Sequence, residues 1–432
     1  MSTVLDRFSP ATREWFAGAF SAPTPAQLGA WDAITGGSNA LVVAPTGSGK
    51  TLAAFLWAID RLATTPAPDD PGRRTRVLYI SPLKALAVDV ERNLRSPLVG
   101  VMQTAKRLGM APPEVTVGVR SGDTTSGDRR LLQRHPPDIL ITTPESLYLM
   151  LTASARDTLR GVTTVIVDEV HAVAATKRGA HLALSLERLD LLLDKPAQRI
   201  GLSATVRPRE EVARFLSGGA PVTIVAPRST KKFDLTVVVP VEDMTELGTS
   251  ATPEGSAAGA TTAQGSIWPH VEEQIVNRIL EHRSTIVFAN SRRLAERLTA
   301  RLNEIYADRL AEEGSALQDA SGLELVGVAA SSMPTTDLAA SPAHPPAQLM
   351  AQAGQTSGAA PLLARAHHGS VSKDQRAFIE DDLKSGRLRC VVATSSLELG
   401  IDMGAVDLVI QVESPPSVAS GLQRVGRAGH QV

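Results

Sequence analysis

Residues 41–51 read LVVAPTGSGKT: a short β-branched run, Leu41–Val43, breaks into a Gly-rich polar turn and then into a helical pattern, LAAFLWAIDRLA. The same grammar recurs. Val77–Ile80 is followed by SPLKAL, Ile139–Ile141 by TTPESL, Val165–Val167 by DEVHAV and Arg199–Leu202 by SAT. Strands alternating with helices predict a doubly wound α/β domain around a parallel sheet. In such sheets ligands bind beyond the carboxyl ends of the strands. All five polar clusters fall at that edge, and this convergence carries more weight than any one of them.

The grammar lapses at residues 245–266, TELGTSATPEGSAAGATTAQGS, which are small, polar and without period, the composition of a flexible insertion. It resumes at Thr285–Phe288, followed by ANSRRLAERL. From about Gly314 to Pro361 it lapses again into Ala, Ser, Pro and Gly, where disorder is expected. A last lap gives Arg389–Ala393 followed by TSSLELGID and Leu408–Val412 followed by ESPPS. The division expected is a first domain over residues 1–228, a linker and flexible insertion over 229–267, and a second domain over 268–432 that carries the insertion of about 314–361.

The bulk numbers fit this plan. The 432 residues suffice for two or three cores, and 43% hydrophobic with 21% charged is a globular composition. A net charge of −1 argues against a tight nucleic-acid coat protein and leaves room for a motor that must release its track. One cysteine, Cys390, excludes a disulfide framework within the chain and fits a reducing cytosol. The start, MSTVLDRFSP, does not read as a signal peptide, and no apolar run approaches the ~20 residues of a membrane span. The expected location is the bacterial cytoplasm, at the nucleoid, without membrane attachment.

APTGSGKT fits a phosphate-binding loop except that Ala44 stands where Gly is usual. The segment Thr46, Gly47, Ser48 and Gly49 would turn its backbone N–H groups to a polyphosphate at a helix N-terminus. Lys50 would reach the β- and γ-phosphates and the Thr51 hydroxyl would hold Mg²⁺. The bland alternative is a Gly-rich turn with a solvated lysine; strand, loop and helix in register argue against it. Asp168 and Glu169 end another strand. Asp168 is assigned to the metal and Glu169 to the general base for the attacking water. Arg424 and Arg427, in QRVGRAGH, are candidates for the arginine finger on the γ-phosphate, Arg427 foremost; the alternative is a basic helix face.

In order, these segments resemble the motifs of superfamily 2 helicases. PTPAQ, with Gln27, resembles the Q motif that reads adenine; APTGSGKT is similar to motif I, SPLKAL to Ia, TPESL to Ib, DEVH to II and SAT to III. TIVFANSRRLAERL is similar to motif IV, ATSSLELGID to V and QRVGRAGH, with Gln423, to VI. The set spans residues 25–430. SPLKALAVD, VRSGDTTSGDRR, HHGSVSKDQR and GRAGH resemble one branch, the large helicase-related (Lhr) family, and the Ala/Ser-rich insertion its actinobacterial members. The resemblance implies two RecA-like domains in tandem, ATP and Mg²⁺ as cofactors, and 3′ to 5′ movement on single-stranded DNA. It also implies unwinding of DNA and RNA:DNA hybrids and a tie to DNA repair. Many superfamily 2 motif VI sequences end in a second Arg where this chain has His430, and the Lhr family continues beyond this point, so a second domain left incomplete is expected.

By motif position, Lys84, Arg120, Thr143, Ser291, Arg292 and Thr394 are candidates for holding the phosphates of the strand; as a bland alternative, Thr143 and Ser291 simply cap helices. Ser203 and Thr205 would link the γ-phosphate to the strand path, and Asp402 would contact the nucleotide. His171 would couple the halves, or is a satisfied core histidine; His367 and His368 read as a helix-start feature, not as metal ligands. The mechanism expected is closure of a cleft on ATP and its opening by about one nucleotide on hydrolysis. Other readings are an RNA helicase, a translocase that does not unwind, and a truncated module that binds ATP and nucleic acid without turnover.

Overall fold

The computed structural model describes residues 4–45, 47–111, 114–228, 234–241, 267–320, 362–398 and 406–429, with backbone alone at 84–86, 88–89, 314–320 and 373. The chain divides into two compact units. The first holds the described residues to Arg228 together with Leu397, Glu398 and 416–429; the second holds the described residues among 234–396 and 406–415.

The first unit is built on a seven-stranded sheet, β1 (Asn39–Val43), β2 (Val77–Ile80), β3 (Val117–Arg120), β4 (Ile139–Thr142), β5 (Thr164–Val167), β6 (Gln198–Ser203) and β7 (Val222–Val225). Its order is β3-β4-β2-β5-β6-β1-β7, and the pairs are parallel. Side chains alternate between two cores. Ala40, Val42, Val77 and Tyr79 enter one, which also receives Phe55 and Ile59 from helix Lys50–Thr64. Leu41, Val43, Leu78 and Ile80 enter the other, under Leu147, Leu182 and Leu186. Both faces are covered, so the central strands are apolar throughout.

The helices begin where short polar side chains satisfy their first N–H groups. Thr24 forms a reciprocal capping box with Gln27, and Thr143, Thr176, Ser372 and Ser417 each accept from the third residue on. The N-terminal helix Pro10–Ala19 belongs to the first unit and packs on helix Lys84–Arg107.

The second unit has a four-stranded parallel sheet, β8 (Thr285–Phe288), β9 (Ala364–His367), β10 (Cys390–Ala393) and β11 (Leu408–Gln411), in the order β11-β8-β10-β9. Two parallel sheets are the architecture expected. Three strands were not foreseen: β3, β7 and β9. The expected lapse from Gly314 is corrected as far as Ala320, because helix Arg292–Ala320 continues through SALQDA, a run of mostly good helix formers. Residues 321–361 and the insertion 245–266 lie outside the described residues. His367 and His368 do not start a helix: His367 ends β9, and the next helix begins at Lys373 behind its cap Ser372. Among the described residues no helix is long and apolar enough to cross a membrane.

Candidate nucleotide and nucleic-acid site

The loop after β1 turns on two glycines in the left-handed region, Gly47 at φ 80° and Gly49 at φ 74°. Gly49 caps helix Lys50–Thr64, so the loop delivers the free N–H groups of a helix start. Lys50 is buried, and its Nζ donates to Ala44 O at 3.3 Å, back across the loop. Thr51 is half-buried beside it.

Gln27 braces this loop. Its Oε1 accepts from Thr24 N at 2.9 Å and its Nε2 donates to Gly49 O at 3.4 Å. Thr24 Oγ1 donates to Ser48 O at 2.8 Å, and Ser48 Oγ to Pro45 O at 2.7 Å. A Cβ at Gly49 would sit 2.5 Å from Gln27 Nε2, so any other residue there would both strain the backbone and displace the brace. Thr46 lies outside the described residues.

β5 is followed at once by Asp168 and Glu169, both buried. Asp168 Oδ1 accepts from Glu169 N at 2.8 Å, and Oδ2 accepts from the phenol of Tyr79. Burial, then the charge of Glu169, push the Asp168 carboxyl up to about 6. Glu169 takes a left-handed backbone, φ 45° and ψ 45°, unusual for a residue with a side chain. Among the described residues there is no group of three His, Cys, Asp or Glu side chains that could hold a metal ion. A carboxylate and a hydroxyl, Asp168 and Thr51, would offer the sparse oxygen set that suits a hard cation keeping water and phosphate as its other ligands.

His171 follows one turn later. Its Nδ1 accepts from Ala204 N at 3.2 Å and lies 3.1 Å from Ser203 Oγ. The ring proton therefore sits on Nε2, which faces Glu169 Oε2 at 3.5 Å and touches the side-chain amide of Gln423. Burial, then the charge of Lys50, lower its pKa to about 4, and the ring is neutral at ordinary pH. Ser203 is buried in this network, whereas Thr205 is exposed.

Arg424 is buried on Glu398, with Nε 3.2 Å and Nη2 3.1 Å from Oε2. Arg427 Nη2 donates to Glu398 O at 3.0 Å. The two finger candidates thus converge on one residue that the sequence reading did not single out; its signal was an acidic side chain within TSSLELGID, just after a strand. Asp402 and His430 lie outside the described residues.

The candidates for strand contact sit at the carboxyl edges as expected, but several already have local partners. Lys84 opens helix Lys84–Arg107. Arg120 ends β3, half-buried, and burial, then the charge of Arg129, lower its pKa. Thr143 is a buried cap that accepts from Ser146 N at 3.4 Å, and Ser291 Oγ accepts from Leu294 N at 3.1 Å. Arg292 Nη1 donates to Ser370 Oγ at 2.8 Å, which adds Ser370 of HHGSVS to the group. Thr394 is half-buried and its N–H reaches His367 O at 3.3 Å. His367 is buried between Ser396 Oγ, 2.9 Å, and Glu380 Oε1, 3.0 Å; His368 faces Glu296. Both are structural anchors of that loop.

Strand order divides the first sheet's edge in two. The loops after β5, β6 and β1, three neighbours, carry Asp168, Glu169, Ser203 and the glycine loop. Those after β3, β4 and β2, the other three neighbours, carry Arg120, Thr143 and Lys84. The two groups meet at the β2–β5 pair, where Tyr79 reaches Asp168.

The chain is similar to known proteins over its whole length. Residues 24–214 match the DEAD/DEAH box helicase family and residues 350–431 the helicase conserved C-terminal domain. The chain is 67% identical over 428 residues to the Lhr helicase/probable uracil glycosylase of Mycolicibacterium smegmatis, covering 99% of this chain and 26% of that protein. It is 56% identical over 438 residues to the Lhr helicase/uracil glycosylase of Escherichia coli, covering 100% of this chain and 27% of that one. A solved structure of Mycobacterium smegmatis helicase Lhr bound to ssDNA and AMP-PNP superposes with a TM-score of 0.76 at 63% identity, over 100% of this chain and 47% of that one. The chain thus spans about a quarter of the length of these two curated relatives.

Proposed function

Since this chain belongs to the Lhr helicase family, we propose that it is the ATP-hydrolysing motor core of such a helicase, acting on single-stranded DNA. The observation that carries the reading is the divided sheet edge, with phosphate-loop, carboxylate and serine side chains grouped on one side and hydroxyl and basic groups on the other. The domain division at 1–228, 229–267 and 268–432 belongs to the same reading.

In this reading the N–H groups after Gly47 and the Lys50 ammonium hold the β- and γ-phosphates of ATP. Thr51 and Asp168 would hold Mg²⁺, which neutralises charge developing on the phosphate oxygens. Glu169 takes the proton of the attacking water, its backbone N–H meanwhile holding Asp168 Oδ1. Arg427 answers the charge on the γ-phosphate, and Arg424 holds Glu398, which in turn holds Arg427. Gln423 and neutral His171 tie that segment to Ser203. The strand lies across Lys84, Arg120 and Thr143, and in the second unit across Ser291, Arg292 and Thr394, contacts that hold backbone without reading bases. A 3′ to 5′ direction, unwinding of DNA or RNA:DNA duplexes, a place in DNA repair and a nucleoid location belong to the same proposal.

The test is ATP hydrolysis with Mg²⁺, alone and with single-stranded DNA or RNA of one sequence, beside Lys50→Ala. DNA-stimulated turnover that vanishes in Lys50→Ala is the expected outcome. Stimulation by RNA alone would replace the reading by an RNA helicase. ATP binding without turnover by a folded chain would replace it by a binding module.

A further inference from the structure

Tyr79 stands out in the first sheet. Its neighbours along β2 are Val77, Leu78 and Ile80, all buried and aliphatic, and β2 lies between two other buried strands. A phenol in that place carries a hydroxyl into a core, which is costly unless a partner takes it. The partner is Asp168 Oδ2. Burial and the two carboxylates push the Tyr79 phenol well above its ordinary pKa, so it keeps its proton and donates.

The ring is fixed as closely as the hydroxyl. Phe55 stacks on it, with centroids 4.9 Å apart and planes 29° apart. Phe55 lies one helical turn after Thr51 on helix Lys50–Thr64, so both project from the same side of that helix. Tyr79 therefore touches both elements that would supply oxygen to a cation: it packs under the helix of Thr51 and hydrogen-bonds Asp168. The second oxygen of Asp168 is held by the backbone N–H of Glu169 at 2.8 Å. With both oxygens engaged, the carboxylate cannot rotate, and each oxygen retains a lone pair for a further ligand.

We propose that Tyr79 is a positioning residue for the metal, its hydroxyl setting the orientation in which Asp168 presents oxygen to Mg²⁺. The inference rests on the reading of Asp168 as the Mg²⁺ carboxylate. Hydrogen-bond partners one shell out from a metal commonly govern its affinity by about 10–100-fold.

The test is Tyr79→Phe, which keeps the ring and its stack on Phe55 and removes the donor. Binding of a fluorescent, non-hydrolysable ATP analogue is titrated with Mg²⁺ for wild type, Tyr79→Phe and Asp168→Asn, and thermal unfolding is followed in EDTA. The Mg²⁺ midpoint should rise roughly tenfold in Tyr79→Phe, with affinity for the analogue in EDTA unchanged. Asp168→Asn should lose the Mg²⁺ response. An unchanged midpoint in folded Tyr79→Phe overturns the proposal. A wild type without any Mg²⁺ response overturns the reading of Asp168 instead.

If Tyr79→Phe does not fold, fluorotyrosine labelling of the wild type decides, because the chain has only three tyrosines. Variants at Tyr148 and Tyr306 assign the third ¹⁹F resonance to Tyr79. That resonance should move when Mg²⁺ is added to the nucleotide complex, and a resonance that stays still overturns the proposal.

Discussion

Along the carboxyl edge of the first sheet, the loops after β1, β5 and β6 bring key polar groups together from across the fold, whereas the capping hydroxyls after β3 and β4 bond within a single turn. Gln27 reaches Gly49, Tyr79 reaches Asp168 and His171 reaches Ser203, partners 22, 89 and 32 residues apart. Thr143 reaches Ser146, Ser121 accepts from Asp123, and Thr125 accepts from Asp128, partners three residues apart or fewer. The first region is one network of buried groups, the arrangement that transition-state chemistry needs because its dipoles are already in place. The second is a row of local caps, with Thr142 Oγ1 donating to Arg120 O at 2.8 Å and Arg178 pairing with Glu145 as longer-range ties. Loss of one member should therefore be severe in the first region and mild in the second.

The sharpest contrast comes from Glu169→Gln. Removing the proton acceptor while keeping its shape should lower ATP turnover by about 10²–10⁴, with ATP binding changed little. Steady-state hydrolysis and equilibrium nucleotide binding, measured on one preparation, check it. Turnover within a few-fold of wild type would remove Glu169 from the chemistry and erase the contrast.

A second break separates the two arginines that meet at Glu398. Arg427→Ala should lower turnover by about 10³, the lower end of an arginine finger's effect, with a smaller loss of stability than Arg424→Ala, since it gives up a bond to a backbone carbonyl and not a buried ion pair. Arg424→Ala leaves the Glu398 carboxylate without its buried partner and should cost about 3–5 kcal/mol of stability. Equal loss of stability in both variants would make both arginines structural.

How much of this was legible depends on the same contrast. The central strands β1, β2, β4, β5 and β6 read directly because both faces are buried and their runs are apolar. The three strands that were not foreseen, β3, β7 and β9, are edge strands of their sheets. VGVR and ARAH bury only in part, so their patterns are mixed. The glycine loop and the Asp168–Glu169 pair were legible because few residue types can do their chemistry. Tyr79 was not, since one tyrosine in VLYI reads as a strand former, and only the pairing of β2 with β5 brings it to Asp168. Glu398 and Ser370 were hidden for the same reason, their partners Arg424 and Arg292 lying 26 and 78 residues away.

His171 offers a pH test of the buried network. Its folded pKa is about 4 against 6.5 for an ordinary histidine. The unfolded chain therefore binds the proton first, and the His171 contribution is complete above about pH 6.5 and is lost as pH falls toward 4. Asp168, raised to about 6, works in the opposite direction over part of that window, so the comparison must be with a variant. Between pH 7 and 4.5, wild type should lose about 1–3 kcal/mol more stability than His171→Asn. Denaturant unfolding at both pH values reads it, and equal losses would mean that the ring is not held neutral by its surroundings.

The smallest effects are expected in the region of local caps, where they decide whether a residue caps a helix, touches the strand, or does both. Thr143→Ala should cost about 1 kcal/mol of stability through the lost N-cap, and Thr143→Ser should restore it. If capping is all Thr143 does, single-stranded DNA affinity is unchanged in both variants; if its hydroxyl also holds a phosphate, Thr143→Ala weakens binding and Thr143→Ser does not. Arg120 has no capping role and differs from Thr143 in carrying charge. Arg120→Ala should weaken DNA binding about equally for all sequences and flatten the salt dependence by roughly one ion, the mark of one lost phosphate contact. An unchanged salt slope would take Arg120 off the track and leave β3 as a structural edge, narrowing the strand-contact region of the first sheet to the loops after β2 and β4.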